Sequence, residues 1–213
     1  MFRMFTFIFC VSLVLSGCGN EPSQEIGYGE IENGVYSNQY FNMSVSAPET
    51  WIIQSQAAQK MLMETGGSLL AGEDKNVKAM LKEAEEQTVN LFSFFKHEQG
   101  TPVPFNPSIM SVAENMVNMP GVKRGSDYLY HVKSFLESGQ LEYKFPSEIE
   151  SKVISGISFD ILPAEINAGN LVVNQEYYAA RINDYVLSFI LSYSSESEQA
   201  ELHNILSNIE FEG

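Results

Sequence analysis

Thiols are nearly absent from this chain. Of its 213 residues two are cysteine, Cys10 and Cys18, and none follows them. The body beyond residue 18 therefore excludes disulfides, thiolate metal sites and cysteine nucleophiles together. Basic residues are also scarce, 12 Lys and Arg against 27 Asp and Glu, for a net charge of −15. A surface that acidic repels phosphate backbones, so nucleic acid is excluded as the expected partner. Only His97, His131 and His203 supply imidazoles: His97 reads as a surface residue, His131 as lying at the edge of a helix's apolar face one turn from Tyr128, and His203 as facing solvent beside Leu202. His97-Glu98 opens like a zinc-protease helix motif, but Thr101 stands where the second histidine belongs. Gly156-Ile157-Ser158-Phe159-Asp160 lacks the closing glycine of a nucleophile elbow. Gly66-Gly67-Ser68 lacks the lysine of a phosphate-cradling loop, and the acids show no calcium-loop spacing. No catalytic residue, metal ligand or cofactor is predicted, and the sequence names no ligand-binding residue.

Export is what the first residues carry. Arg3 is the one charge ahead of an apolar run from Phe5 to Leu15, too short to span a bilayer as a permanent helix. Val14-Leu15-Ser16-Gly17-Cys18 ends that run and resembles the lipobox of bacterial lipoproteins. That resemblance implies a signal peptide over 1–17, cleavage after Gly17, and a mature chain beginning at a diacylglyceryl, N-acylated Cys18. Two or three acyl chains would hold the protein to a membrane outside the cytoplasm, which one chain alone does not. Gly19 stands where lipoproteins retained at an inner membrane carry Asp, so an outer membrane is favoured where the envelope has two. Residues 18–33 are rich in Gly, Glu, Ser and Asn. They read as a flexible tether reaching on the order of 20 Å.

The remainder, 34–213, is long enough for one domain with its own core. Phe41, Met43 and Val45 alternate with polar residues, the period of a half-buried strand, and Trp51-Ile52-Ile53 opens another. Residues 54–87 are rich in helix formers. They predict helices over Gln54–Glu64 and Asp74–Gln87 with a break at Thr65-Gly66-Gly67-Ser68. Strands are expected at Thr88–Lys96, Ser108–Met116 and Gln140–Phe145, and a helix at Ser126–Ser138. Ile154–Ile166, Leu171–Ile182 and Tyr185–Tyr193 read as consecutive antiparallel strands joined by hairpin turns. Ser195 and Glu198 form a capping box for a helix carrying Leu202, Ile205, Leu206 and Ile209, with Phe211 in a final edge strand.

Three features line up along this body. Tyr36, Asn38, Tyr40-Phe41-Asn42-Met43-Ser44-Val45, Pro48 and Trp51 form an opening signature. Gln175-Glu176-Tyr177-Tyr178 sits in the middle strand of the closing meander, and Ser195 to Gln199 begins the last helix. Together they resemble the PsbP-like fold, shared by the extrinsic photosystem subunit of that name and DcrB-type bacterial lipoproteins. The resemblance implies an α+β domain: a mostly antiparallel central sheet with helices on both faces, here with 54–87 as a helical insertion. It also implies a non-enzymatic binding or assembly factor, which in the envelope would meet a protein partner. Its contacts are expected from the 54–86 helices or the Pro-rich 101–107 loop, since loops on such scaffolds carry function. The alternative is a receptor for a small ligand or cation, and a hydrolase stands third.

Overall fold

The computed structural model describes residues 26–212. The expected signal peptide over 1–17, its cleavage after Gly17 and the lipidation of Cys18 fall outside the described residues. A two-residue Asn33-Gly34 turn, with positive φ at both positions, folds β1 (Glu30–Glu32) back on β2 (Val35–Asn38). The expected tether is thus shorter than 18–33, because its last residues already pair in a sheet. Tyr36 Oη donates to the Tyr28 carbonyl and Asn38 Nδ2 to that of Gly27, fixing the incoming chain. β3 (Met43–Ser46) pairs with β2, and the last strand, β12 (Glu210–Phe211), pairs with β3. The terminal strand is therefore present, but in this small sheet.

The main sheet is antiparallel, ordered β4 (Ile52–Ile53), β5 (Thr88–Phe95), β6 (Ser108–Asn115), β11 (Tyr185–Tyr193), β10 (Leu171–Ile182), β9 (Ile157–Ala168) and β7 (Tyr143–Lys144). One further strand, β8 (Glu150–Ile154), shares the β9 edge with β7. The sequence reads Ile154–Ile166 as one strand, but a Ser155-Gly156 turn with positive φ at both residues makes it a hairpin.

Side chains alternate across β10. Tyr178 and Ala180 join the larger core, where Phe92, Phe94, Phe159 and Phe189 meet Leu202, Ile205 and Leu206 of α4 (Glu196–Ser207). Ala179 and Tyr177 turn to the opposite face, where Leu129 of α3 (Gly125–Ser138) packs with Met116, Leu162 and Val186. The sheet is thus covered by helices on both faces, as expected. The strand β11 is buried on both sides, Ser188 and Ser192 included, because it is the middle of the sheet.

Residues 54–87 form α1 (Gln56–Ala71) and α2 (Lys75–Gln87), an antiparallel hairpin seated on β5. The break expected at Gly66-Gly67 is absent: α1 runs through it and ends at Gly72. Gly67 lies under Leu81 of α2, where an added Cβ would come within 3.2 Å of a leucine methyl. The glycine lets the two helices approach. The C-terminal ends of α1 and α3 also meet, the Gln140 amide donating to the Leu70 carbonyl at 2.8 Å.

Candidate binding surface and a buried carboxylate

The two regions named from sequence as contact candidates differ in what they offer. The 101–107 loop is tied down: Asn106 accepts from the His97 amide at 2.9 Å and donates to its carbonyl at 2.8 Å. Its apolar residues Val103 and Phe105 are partly covered. The α1–α2 hairpin is the opposite. Met61 is 67% exposed, Leu69 59%, Met80 48% and Met63 38%. α1 buries Leu70 and Ala71 near its C-terminal end and, in its first turn, a polar side chain, Gln59, whose amide donates to the Gln54 carbonyl at 3.2 Å while its Oε1 finds no partner. Val77 is the buried apolar residue of α2, whereas Met80, one turn further on, faces solvent.

Between the helices and β5 runs a groove of about 290 Å³. Met63, Gly67, Ala71, Leu81 and Ala84 give it an apolar floor, and Lys60, Lys78 and Lys82 stand around it. Lys60 bridges the helices, 3.8 Å from Glu64 and 3.4 Å from Glu85, and Lys78 lies 3.7 Å from Glu73. These exposed pairs add little stability. Asn90, also in the lining, has a buried Oδ1 without a hydrogen-bond partner.

The other polar concentration escaped the sequence reading. On the α4 side of β10, Glu176 is 7% exposed and accepts four side-chain hydrogen bonds. Oε1 accepts from Tyr193 Oη at 2.8 Å and Gln199 Nε2 at 2.7 Å; Oε2 accepts from Tyr178 Oη at 2.7 Å and meets His203 Nε2 at 2.8 Å. His203 is therefore no free surface histidine; it is half-buried against the carboxylate. Burial alone would push the Glu176 pKa up, but the bonds from His203, Tyr178, Gln199 and Tyr193 outweigh it and hold the group at about 2. Burial and the carboxylate together push both tyrosine pKa values up, so the hydroxyls remain donors. Every Glu176 lone-pair direction is used inside the fold, which suits a structural tie. Gln199 and His203, one turn apart on α4, could have announced it: an acid inside a central strand needs such partners.

His131 is exposed on α3, beside Glu114, which accepts from Tyr128 Oη at 2.8 Å. Burial raises the Glu114 pKa, against the lowering effects of that bond and of His131. His97 is half-buried behind the 101–107 loop. The three histidines do not converge, and among the described residues no group of His, Cys, Asp and Glu is placed to hold a metal ion.

No known protein family matches the chain, and no curated protein does either. Solved structures do. The cyanobacterial PsbP protein CyanoP from Synechocystis sp. PCC 6803 aligns over 93% of this chain and 99% of its own, at 10% identity and a TM-score of 0.51. LpqN of Mycobacterium tuberculosis, described as involved in cell envelope biogenesis, covers 79% of this chain and 82% of its own, at 11% identity and TM-score 0.44. PA94 from Pseudomonas aeruginosa, a protein of unknown function, covers 53% of this chain and 73% of its own, at 14% identity and TM-score 0.35. The CyanoP alignment, with the antiparallel sheet and its two helical layers, defines the class: the chain has a PsbP-like α+β fold. Identity this low speaks to fold and leaves activity to be argued from the surface.

Proposed function

We propose that the protein is a lipid-anchored, non-enzymatic binding or assembly factor of a bacterial cell envelope, and that α1–α2 is its docking element. The observation that carries this reading is the exposure of Met61, Met63, Leu69 and Met80 on one helical hairpin. Four large apolar side chains in water on a short element mark an interaction surface, and methionine adapts to partners of differing shape. The anchor would come from Cys18, the acceptor cysteine of the lipobox-like run Val14 to Cys18. The experiment is co-purification of the full-length protein after mild detergent extraction. The M61S/L69S double variant should lose the envelope protein that the parent retains. Retention by the variant would remove the hairpin from the account. Acylation is tested separately: C18S should take up no palmitate analogue, and labelling of that variant would end the lipobox reading.

One observation favours a receptor instead. The groove has an apolar floor, an unpartnered amide oxygen at Asn90 and, in Lys82, a cation without an ion pair among the described residues. Its volume lies at the small end of ligand pockets. A ligand there would raise the melting temperature of the parent and not of an L81W variant that fills the groove.

A further inference from the structure

The main sheet ends on the β9 side in β8, and β8 pairs with β9 alone. Four of its five residues, Glu150 to Val153, are exposed, Val153 at 66%. A two-residue turn closes on the hydrogen-bonded pair Ile154–Ile157, and the pattern then alternates along the ladder. Lys152 and Glu150 therefore bond inward to β9, and Val153 and Ser151 turn their N–H and C=O groups outward. An unpaired row of this kind is a template for another strand.

We propose that β8 is a self-association edge, where two copies of this chain pair their β8 strands antiparallel about a two-fold axis at Ser151. The register follows from the residues. Centring on Ser151 makes the outward residues hydrogen-bonded pairs, Ser151 with the partner's Ser151 and Val153 with the partner's Ile149. The same register sets Glu150 against the partner's Lys152, and Lys152 against the partner's Glu150, in the closer non-hydrogen-bonded pairs. Neither Glu150 nor Lys152 has an ion pair within the chain among the described residues. The other terminal strands of the two sheets do not fit. β1 paired on itself about Ile31 would put Glu30 against the partner's Glu32, and β4, β7 and β12 are two residues long. Like charges facing one another and short strands are ways an edge is blunted. β8 is five residues long, and in this register its charges, Glu150 and Lys152, meet their opposites.

The test uses full-length protein in membranes under mild oxidation, with the parent, which carries only Cys10 and Cys18, as baseline. S151C should form a disulfide-linked dimer, because a hydrogen-bonded antiparallel pair holds its Cα atoms at about 5.5 Å, within disulfide reach. V153C should form roughly tenfold less, since its copies would lie about 14 Å apart along the strand. Ser151 Oγ also donates to Asp160 Oδ1 at 2.6 Å, so a second readout leaves Ser151 intact. E150K and K152E should each lower the dimer fraction seen in solution by light scattering, and E150K/K152E should recover it. Equal crosslinking of S151C and V153C, no crosslinking of S151C, or a double variant as weak as the singles overturns the proposal.

Discussion

Two helical layers sit on one sheet and are built on opposite principles. The α4 layer buries Leu202, Ile205 and Leu206, and is tied to β10 through Glu176, Gln199 and His203 and to the end of β5 by Lys96 Nζ at 2.7 Å from Glu201. The α1–α2 layer buries Gln59 with an orphaned oxygen and turns Met61, Leu69 and Met80 to solvent. In α4 the buried apolar and polar groups are satisfied within the chain; α1–α2 buries Leu70, Ala71 and Val77 but leaves Gln59 Oε1 unpaired and several large apolar side chains in water. The first arrangement spends its chemistry on stability, and the second leaves apolar surface for a partner.

The largest expected effect lies on the α4 side. Glu176→Ala removes the carboxylate that four side chains face, and should destabilise the fold by about 3–5 kcal/mol in denaturant unfolding, the range for breaking a buried ionic network. An effect below about 1 kcal/mol would erase the distinction between the two layers. The same group gives the pH arm. Its folded pKa of about 2 lies below the ordinary 4.5, so its contribution is complete above 4.5 and is lost as the pH falls toward 2. The shift corresponds to roughly 3 kcal/mol. Glu176→Gln should flatten that part of the stability–pH curve; an unchanged acid limb would contradict it.

Smaller effects sharpen the other side. Gly66 sits inside α1 with nothing within 4 Å of where a Cβ would stand. Gly66→Ala should stabilise by about 0.5–1 kcal/mol in thermal unfolding. Destabilisation would mean that the chain breaks there after all. Met61→Ser with Leu69→Ser should change stability least, within about 0.5 kcal/mol, because both side chains already face water. A large loss would show that the hairpin depends on them for its own folding.

Most of this architecture was legible in the sequence, for identifiable reasons. β5, β6, α3, β10, β11 and α4 have strong periodicity and plain turn or cap signals, and the structure places them within a residue or two of expectation. The misses have physical causes. Asn33-Gly34, a strong short hairpin signal, straddles the boundary between the polar tract that reads as tether and the domain, which hides it. Ser155-Gly156 hides between Ile154 and Ile157, so the apolar run conceals a reversal. Gly66-Gly67 reads as a break from propensity alone, and packing against Leu81 overrides it. Apart from Tyr178, the partners of Glu176 lie 17 to 27 positions away, so the spacing of Gln199 and His203 on α4 is the one local signal of the network. Methionines in a helix over a sheet more often fill the interface between them, so the exposure of Met61 and Met80 is not legible from composition.

The contrast between the layers is tested most directly by photocrosslinking in cells, with the same reactive residue placed at position 61 on α1 or at position 204 on α4. Both positions are exposed, so access is equal. A discrete crosslinked partner from position 61 and none from position 204 is the predicted result. Equal products from both, or a partner captured only from position 204, would contradict the assignment of α1–α2 as the docking element.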